Sequence, residues 1–164
     1  MSRYRPPRSA GTPLITAQGA QRLRDELHEL WNVRRPAVTQ SVSEAAAQGD
    51  RSENAEYTYG KKMLREIDSR VRFLRKRLEN LKIVDQPPAN PHKVYFSARV
   101  VLEDEEGHPL SVRIVGPDEI DPKKQYISID SPMARALVGK QVDDEVTVRA
   151  PAGEKQYWIV SIHY

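Results

Sequence analysis

The stretch MLREIDSRVRFLRKRLENL, residues 63–81, decides the fold. Its apolar residues Met63, Ile67, Val71, Leu74, Leu78 and Leu81 recur in steps of four or three, the spacing of a coiled-coil seam. Such a seam needs a partner helix, and the sequence upstream supplies one. Leu23, Leu27, Leu30 and Val38 fall on one helical face, with Trp31 and Ala45 at its edges and Thr16 placed to act as N-cap. Arg34 and Ser41 interrupt that stripe. Pro36 removes an intrahelical hydrogen bond, so a kink is expected there, or a fresh start with Pro36 at the first helical position. Two amphipathic helices joined by a short polar stretch predict a long antiparallel coiled-coil hairpin over residues 14–85, with about 30 residues per arm and a projection of roughly 45 Å at ~1.5 Å per residue. An arm of that length is explained by reach better than by stability.

Where the arms meet, near residues 49–57, the chain reads Gly49-Asp50-Arg51-Ser52-Glu53-Asn54-Ala55-Glu56-Tyr57. Asp50-x-x-Glu53 at a helix start is first a capping box, in which each side chain takes a backbone N–H of the other's end. The functional alternative is that both carboxylates project from the hairpin end and ligate a divalent ion or orient a water. Mg²⁺ takes about six oxygens, so two carboxylates make a site only when another molecule completes it. Tyr57 and Tyr59 flank this tip, placed either to stack on a base or to pack on the coil. On the returning arm Lys61, Arg65, Arg72 and Arg75 or Lys76 lie within about a quarter turn of one another, away from the seam. They read equally as a basic stripe leading to the tip, or as a solvated face with Asp68–Arg72 and Arg75–Glu79 as i,i+4 pairs.

The chain has 164 residues, 30% of them charged and 38% hydrophobic, enough for one ordinary domain or two small ones. Its net charge of +3 hides an asymmetry: residues 1–85 carry 17 Lys and Arg against 11 Asp and Glu, and residues 86–164 carry 9 against 12. Only the first part is biased toward a polyanion. The absence of Cys excludes disulfides, thiolate metal sites and a Cys nucleophile. No apolar run approaches the ~20 residues that cross a bilayer, and the first eleven residues lack an apolar signal-peptide centre, so a cytoplasmic protein without membrane contact is expected. His28, His92, His108 and His163 are scattered without metal spacing. No Gly-rich phosphate loop, nucleophile elbow or His-Glu-x-x-His motif is present.

Residues 1–13, MSRYRPPRSAGTP, show no periodicity and are expected to be a disordered leader. The run Gln86-Pro87-Pro88-Ala89-Asn90-Pro91 predicts a linker over residues 86–91, because neither a helix nor a central strand continues through it. Beyond it the period switches to two. Val94, Phe96, Ala98, Val100 and Leu102 form one run, the acidic segment 103–106 with Gly107 turns the chain, and Leu110, Val112 and Ile114 form the second strand of a hairpin. A strand over 126–129, a helix over 133–138 opened by Asp130-Ser131-Pro132 and closed by Gly139, and strands over 145–149 and 156–164 complete the set. Trp158, Val160, Ile162 and Tyr164 are predicted to line the buried face of the last strand. The fold class is therefore α+β: a helical hairpin followed, over residues 92–164, by a small antiparallel sheet with one short helix.

The segment from Gly49 to Tyr57, with Lys61-Lys62, Leu64-Arg65-Glu66-Ile67-Asp68, Arg70-Val71-Arg72 and Glu79-Asn80-Leu81-Lys82-Ile83-Val84-Asp85, closely resembles bacterial transcript cleavage factors of the Gre family, GreB more than GreA. In the second half, Tyr126-Ile127-Ser128-Ile129-Asp130-Ser131-Pro132-Met133-Ala134-Arg135-Ala136-Leu137 and Pro151-Ala152-Gly153-Glu154 resemble the family's C-terminal module. The likeness covers residues 12–164. It implies a coiled coil that enters the secondary channel of bacterial RNA polymerase and an FKBP-like C-terminal domain that docks on the rim of that channel. It also implies that Asp50 and Glu53 help hold a Mg²⁺ ion shared with the polymerase in backtracked complexes and position a water for hydrolysis of the extruded RNA. The free protein would bind no metal. Arg51, Lys61, Lys62 and Arg65 are the candidates for guiding the nascent RNA 3′ segment, and a monomer is expected. The alternatives are a paralogous channel regulator or inhibitor without cleavage activity, and a prolyl isomerase. Direct DNA or RNA binding by the basic arm alone is expected to be weak and steeply salt-dependent.

Overall fold

The computed structural model describes residues 9–49 and 54–164, which fall into two compact units: residues 20–81, and residues 82–164 together with the segment up to Gly19. The tip residues Asp50, Arg51, Ser52 and Glu53 and the first eight residues lie outside the described set.

Residues 20–81 form the helical hairpin. Its first arm runs through α1 (Ala17–Glu29), a π-helical turn (Leu30–Arg34) and α2 (Arg35–Ala47). In the π turn the Arg35 N–H reaches back five residues to the Leu30 carbonyl. The cause is Pro36, which lacks an N–H and whose ring would collide with the carbonyl four residues earlier; the widened turn moves that carbonyl aside. The helix therefore continues through the turn and does not start afresh at Pro36. The extra residue also explains the interrupted stripe. Leu23, Leu27, Leu30, Arg35, Val38, Val42 and Ala45 turn inward in steps of 4, 3, 5, 3, 4 and 3, and the step of five spans the π turn. Arg34 and Ser41, which an unbroken register would bury, are exposed.

The second arm is α3 (Ala55–Asn80), whose 26 residues span about 39 Å at ~1.5 Å per residue, somewhat less than the expected arm. Ile67, Val71 and Leu74 of its seam are buried, and Met63, Leu78 and Leu81 half-buried. Gly60 is also buried, because a Cβ there would stand 2.5 Å from Val42 Cγ2. Among the described residues the ion pairs Arg35–Asp68 and Arg70–Glu26 cross between the arms, each at 2.7 Å. Asp68 thus pairs across the hairpin and not chiefly with Arg72, as the i,i+4 reading expected. Arg75 lies with its guanidinium carbon 4.6 Å from the Trp31 ring, and Arg35 is 5.1 Å from the same ring.

The other unit contains a pairing that local pattern did not announce. Strand β1 (Leu14–Thr16) runs parallel to β2 (Lys82–Val84), with Ile15 fully buried. Residues 86–91, expected to be a linker, therefore fall inside this unit, and the units divide at Gly19/Ala20 and Leu81/Lys82. Part of the expected leader is likewise anchored: Thr12 donates its N–H to Asp130 at 2.9 Å and its hydroxyl to the other carboxylate oxygen. Residues 1–8 lie outside the described set.

The main sheet comprises β3 (Arg99–Asp104), β4 (Pro109–Val115), β5 (Tyr126–Ser128), β6 (Glu145–Ala150) and β7 (Gly153–His163), ordered β5-β4-β3-β7-β6. It is mixed and not antiparallel throughout, since β5 returns parallel to β4 after the 3-10 turns at Pro117–Glu119 and Pro122–Lys124. The helix α4 (Pro132–Leu137) is capped by Ser131, whose Oγ accepts the Ala134 N–H at 3.2 Å. Ala134 and Leu137 of α4 join Val100, Leu102, Val112, Ile114, Val146, Val148, Tyr157 and Ile159 in one core. The last strand presents a different face from the one predicted. Tyr157 and Ile159 are buried, Trp158 is half-buried and Val160 is exposed. The partner register explains it: Val101 pairs with Ser161 and Leu102 with Ile159, so Val160 is an unpaired bulge residue. A bulge flips the parity, and only beyond it does the predicted set point inward, at Ile162.

Candidate functional site

The hairpin tip is built from both arms. Asn54 holds it together: its side-chain oxygen accepts the Tyr57 N–H at 3.1 Å, capping α3, while its Nδ2 donates to the Ala45 carbonyl in the last turn of α2 at 2.7 Å. The N-cap is therefore Asn54 and not Asp50, and the capping box predicted from Asp50 and Glu53 gives way to a cap that also joins the arms. Asn is a strong N-cap type with Glu56 in the first turn behind it, so the sequence did contain the signal. The earlier Asp-x-x-Glu spacing masked it. Gly49, just past the first arm, has φ of +143°, a conformation glycine supplies without strain.

Asp50, Arg51 and Glu53 belong to the segment between these anchors and lie outside the described residues. What the structure fixes is their frame: the segment leaves from Gly49 and re-enters at Asn54. Behind it, Lys61, Lys62 and Arg65 are exposed on the second and third turns of α3. The Lys61 Nζ lies 5.7 Å from the half-buried Tyr57 ring, so Tyr57 packs at the tip while Tyr59, 65% exposed, points to solvent. Among the described residues no carboxylate stands within ion-pair distance of Lys61, Lys62 or Arg65. Asp68, three residues beyond Arg65, is engaged by Arg35, whose hydrogen bond holds its carboxyl below the ordinary value with a smaller Coulombic contribution from Arg72. Among the described residues no group of three or more His, Asp or Glu comes together as a metal site.

Comparison with known proteins gives the family. Residues 13–83 match the family model described as Transcription elongation factor, N-terminal, and residues 88–164 match Transcription elongation factor, GreA/GreB, C-term. The chain belongs to the GreA/GreB family of transcription elongation factors. It is 73% identical to the transcription elongation factor GreB of Pseudomonas aeruginosa, over 100% of this chain and 98% of that protein. Identity to GreB of Yersinia pestis is 65%, over 92% of this chain and 88% of that protein. The solved structure of GreA factor homolog 1 (Gfh1) of Thermus thermophilus is 27% identical, covering 92% of this chain and 98% of that chain with a TM-score of 0.42. A GreB-type factor of this family is an accessory protein that acts on RNA polymerase and not itself an enzyme.

Sequence reasoning missed a second polar centre, which holds residues 16–19 within the second unit. Glu119, 3% exposed, accepts the N–H of Thr16 at 3.0 Å and of Gly116 at 2.9 Å, and the Thr16 hydroxyl. Thr16 Oγ1 in turn accepts the Gly19 N–H at 3.0 Å, the N-cap role expected of it. Nothing in local spacing links Glu119 to Thr16, which lie 103 residues apart.

Proposed function

We propose that this elongation factor stimulates the cleavage of backtracked nascent RNA by RNA polymerase, through Asp50 and Glu53 at the hairpin tip. The observation that carries the reading is the tip frame: an acidic Asp-x-x-Glu segment held between Gly49 and Asn54, followed by Lys61, Lys62 and Arg65 without carboxylate partners among the described residues. Asp50 and Glu53 would supply two oxygen ligands to a Mg²⁺ ion, a donor set that fits part of its preferred oxygen shell and leaves the remainder to the polymerase. When bound, that ion supplies charge stabilisation at the reacting phosphate. The chain's own carboxylates orient the attacking water, and Arg51, Lys61, Lys62 and Arg65 attract the phosphates of the RNA 3′ segment.

In this reading the factor works as a cytoplasmic monomer whose helical arm enters the secondary channel. The second unit, with α4 packed against the sheet core, is the FKBP-like docking domain. The test is RNA cleavage in a stalled, backtracked complex with wild-type protein or the Asp50→Ala/Glu53→Ala variant. The variant is expected to bind polymerase with unchanged affinity and to lose stimulation by at least a hundredfold. Wild-type stimulation by the variant would refute the assignment. Slowed nucleotide addition without cleavage by the wild-type protein would favour the channel-inhibitor alternative.

A further inference from the structure

On the face of the main sheet turned away from its core, the register aligns Tyr126 on β5, Arg113 on β4, Arg99 on β3 and His163 on β7. Val100, Val112 and Ile114 point into the core, so the alternating neighbours Arg99 and Arg113 point out. Like charges directly opposite one another on adjacent strands are destabilising. A sheet built for stability alone would put a carboxylate at one of the two positions.

Around the two arginines stand a further cation and an aromatic ring, while Asp85 and Tyr164 line the same cavity as Arg113 without Asp85 reaching ion-pair distance. The guanidinium carbons of Arg113 and Arg99 lie 5.2 and 5.9 Å from the Tyr126 ring centre, and Lys124 Nζ lies 5.9 Å from it. Arg113 donates to the Tyr126 hydroxyl at 3.3 Å, and its buried Nε finds no acceptor. Among the described residues, no carboxylate is within ion-pair distance of Arg99, Arg113 or Lys124. The phenol of Tyr126 is drawn below its ordinary value, first by the Arg113 hydrogen bond and less by Arg99, against a smaller opposing effect of burial. That is the expected signature of a positive local potential.

The same face changes sign along the strands. Four residues further along β3, Glu103 stands beside Trp158 on β7, which in turn pairs with Glu145 on β6. At ~3.3 Å per residue the acidic end is only about 13 Å from the arginines. A nucleic-acid strand crossing the face would run from the arginine row onto carboxylates. A protein surface with carboxylates opposite the arginines and cations opposite the glutamates satisfies both ends.

We propose that the Arg99, Arg113 and Lys124 cluster is a docking site for paired carboxylates on a protein partner. Under the function proposed above the partner is RNA polymerase, and the inference rests on that reading for the partner alone. The experiment compares full-length wild type, Arg99→Glu and Arg99→Glu/Lys124→Glu for binding to RNA polymerase core enzyme across a salt series, for binding to a single-stranded RNA oligonucleotide, and for thermal unfolding. The double variant is expected to bind polymerase at least tenfold more weakly, with a shallower salt dependence. Its melting temperature should equal or exceed that of wild type, because the introduced carboxylate faces Arg113. Undiminished polymerase affinity overturns the proposal, as does a loss confined to RNA binding, which would make the cluster a phosphate site. The tip assignment is tested separately: the Asp50→Ala/Glu53→Ala variant reads cleavage with docking intact, so either idea fails alone.

Discussion

Replacing Glu119 should separate acceptor geometry from charge in the contact that holds residues 16–19 within the second unit. In Glu119→Ala, the N–H groups of Thr16 and Gly116 and the Thr16 hydroxyl all lose their acceptor in a buried site. A buried donor left unsatisfied costs about 1–3 kcal/mol. The hydroxyl can rotate and the vacated space admits water, so the sum should be about 3–5 kcal/mol. Glu119→Gln keeps one carbonyl oxygen for the two N–H groups and presents an NH₂ to the Thr16 oxygen, so only the charge-assisted part is lost, about 1 kcal/mol. The chain has two tryptophans, Trp31 in the hairpin and Trp158 on β7, so a Trp31→Phe background reports on this unit alone. Denaturant unfolding followed by Trp158 fluorescence gives both values. At about 4 °C per kcal/mol for a unit of this size, the Ala variant should melt roughly 12–20 °C lower and the Gln variant about 4 °C lower. An Ala variant within 0.5 kcal/mol of the parent on the same scale would refute the reasoning. A Gln variant as damaged as the Ala variant would show that the negative charge, and not acceptor placement, holds the segment.

Two further predictions concern the hairpin. Gly60→Ala sets a Cβ 2.5 Å from Val42 Cγ2, so it should destabilise by about 1–3 kcal/mol despite the better helix propensity of Ala, and Val42→Ala should relieve it. A double-mutant cycle showing additivity within about 0.5 kcal/mol would count against that close approach. Asp68 has its folded value below 3.8 because Arg35 hydrogen-bonds to it, so its contribution is present above that value and lost as pH falls through the folded one. Asp68→Asn should therefore flatten the acid limb of hairpin stability measured from pH 6 to pH 2; an unchanged limb would assign the acid sensitivity elsewhere.

Much of the fold was legible because its signals are local. The steps of four and three from Met63 to Leu81 imposed a seam whatever lay elsewhere, and the Ser131–Pro132 cap marked α4 through residues adjacent in sequence. The candidate tip was legible as composition, Asp50 and Glu53 between two helical patterns, but its cap was misassigned because two acceptable cap types stood four residues apart. Spacing alone does not choose between them. Helix α3 begins where the Asn54 side chain can also reach the Ala45 carbonyl on the other arm.

By itself the sequence determined the two helical arms, the acidic tip between them, the β-rich second half and the family to which they belong. These rest on periodicity and contiguous motifs, which survive without knowing what packs against what. The tertiary structure decided everything that depends on partners distant in sequence: β1 against β2, Glu119 under Thr16, Asp68 bound to Arg35, and Arg99 opposite Arg113. It also decided the two one-residue insertions, the π turn before Pro36 and the bulge at Val160. Each insertion rotates every later side chain to a new face. A strict period cannot foresee it, because the ladder that absorbs the extra residue is set by the neighbouring backbone.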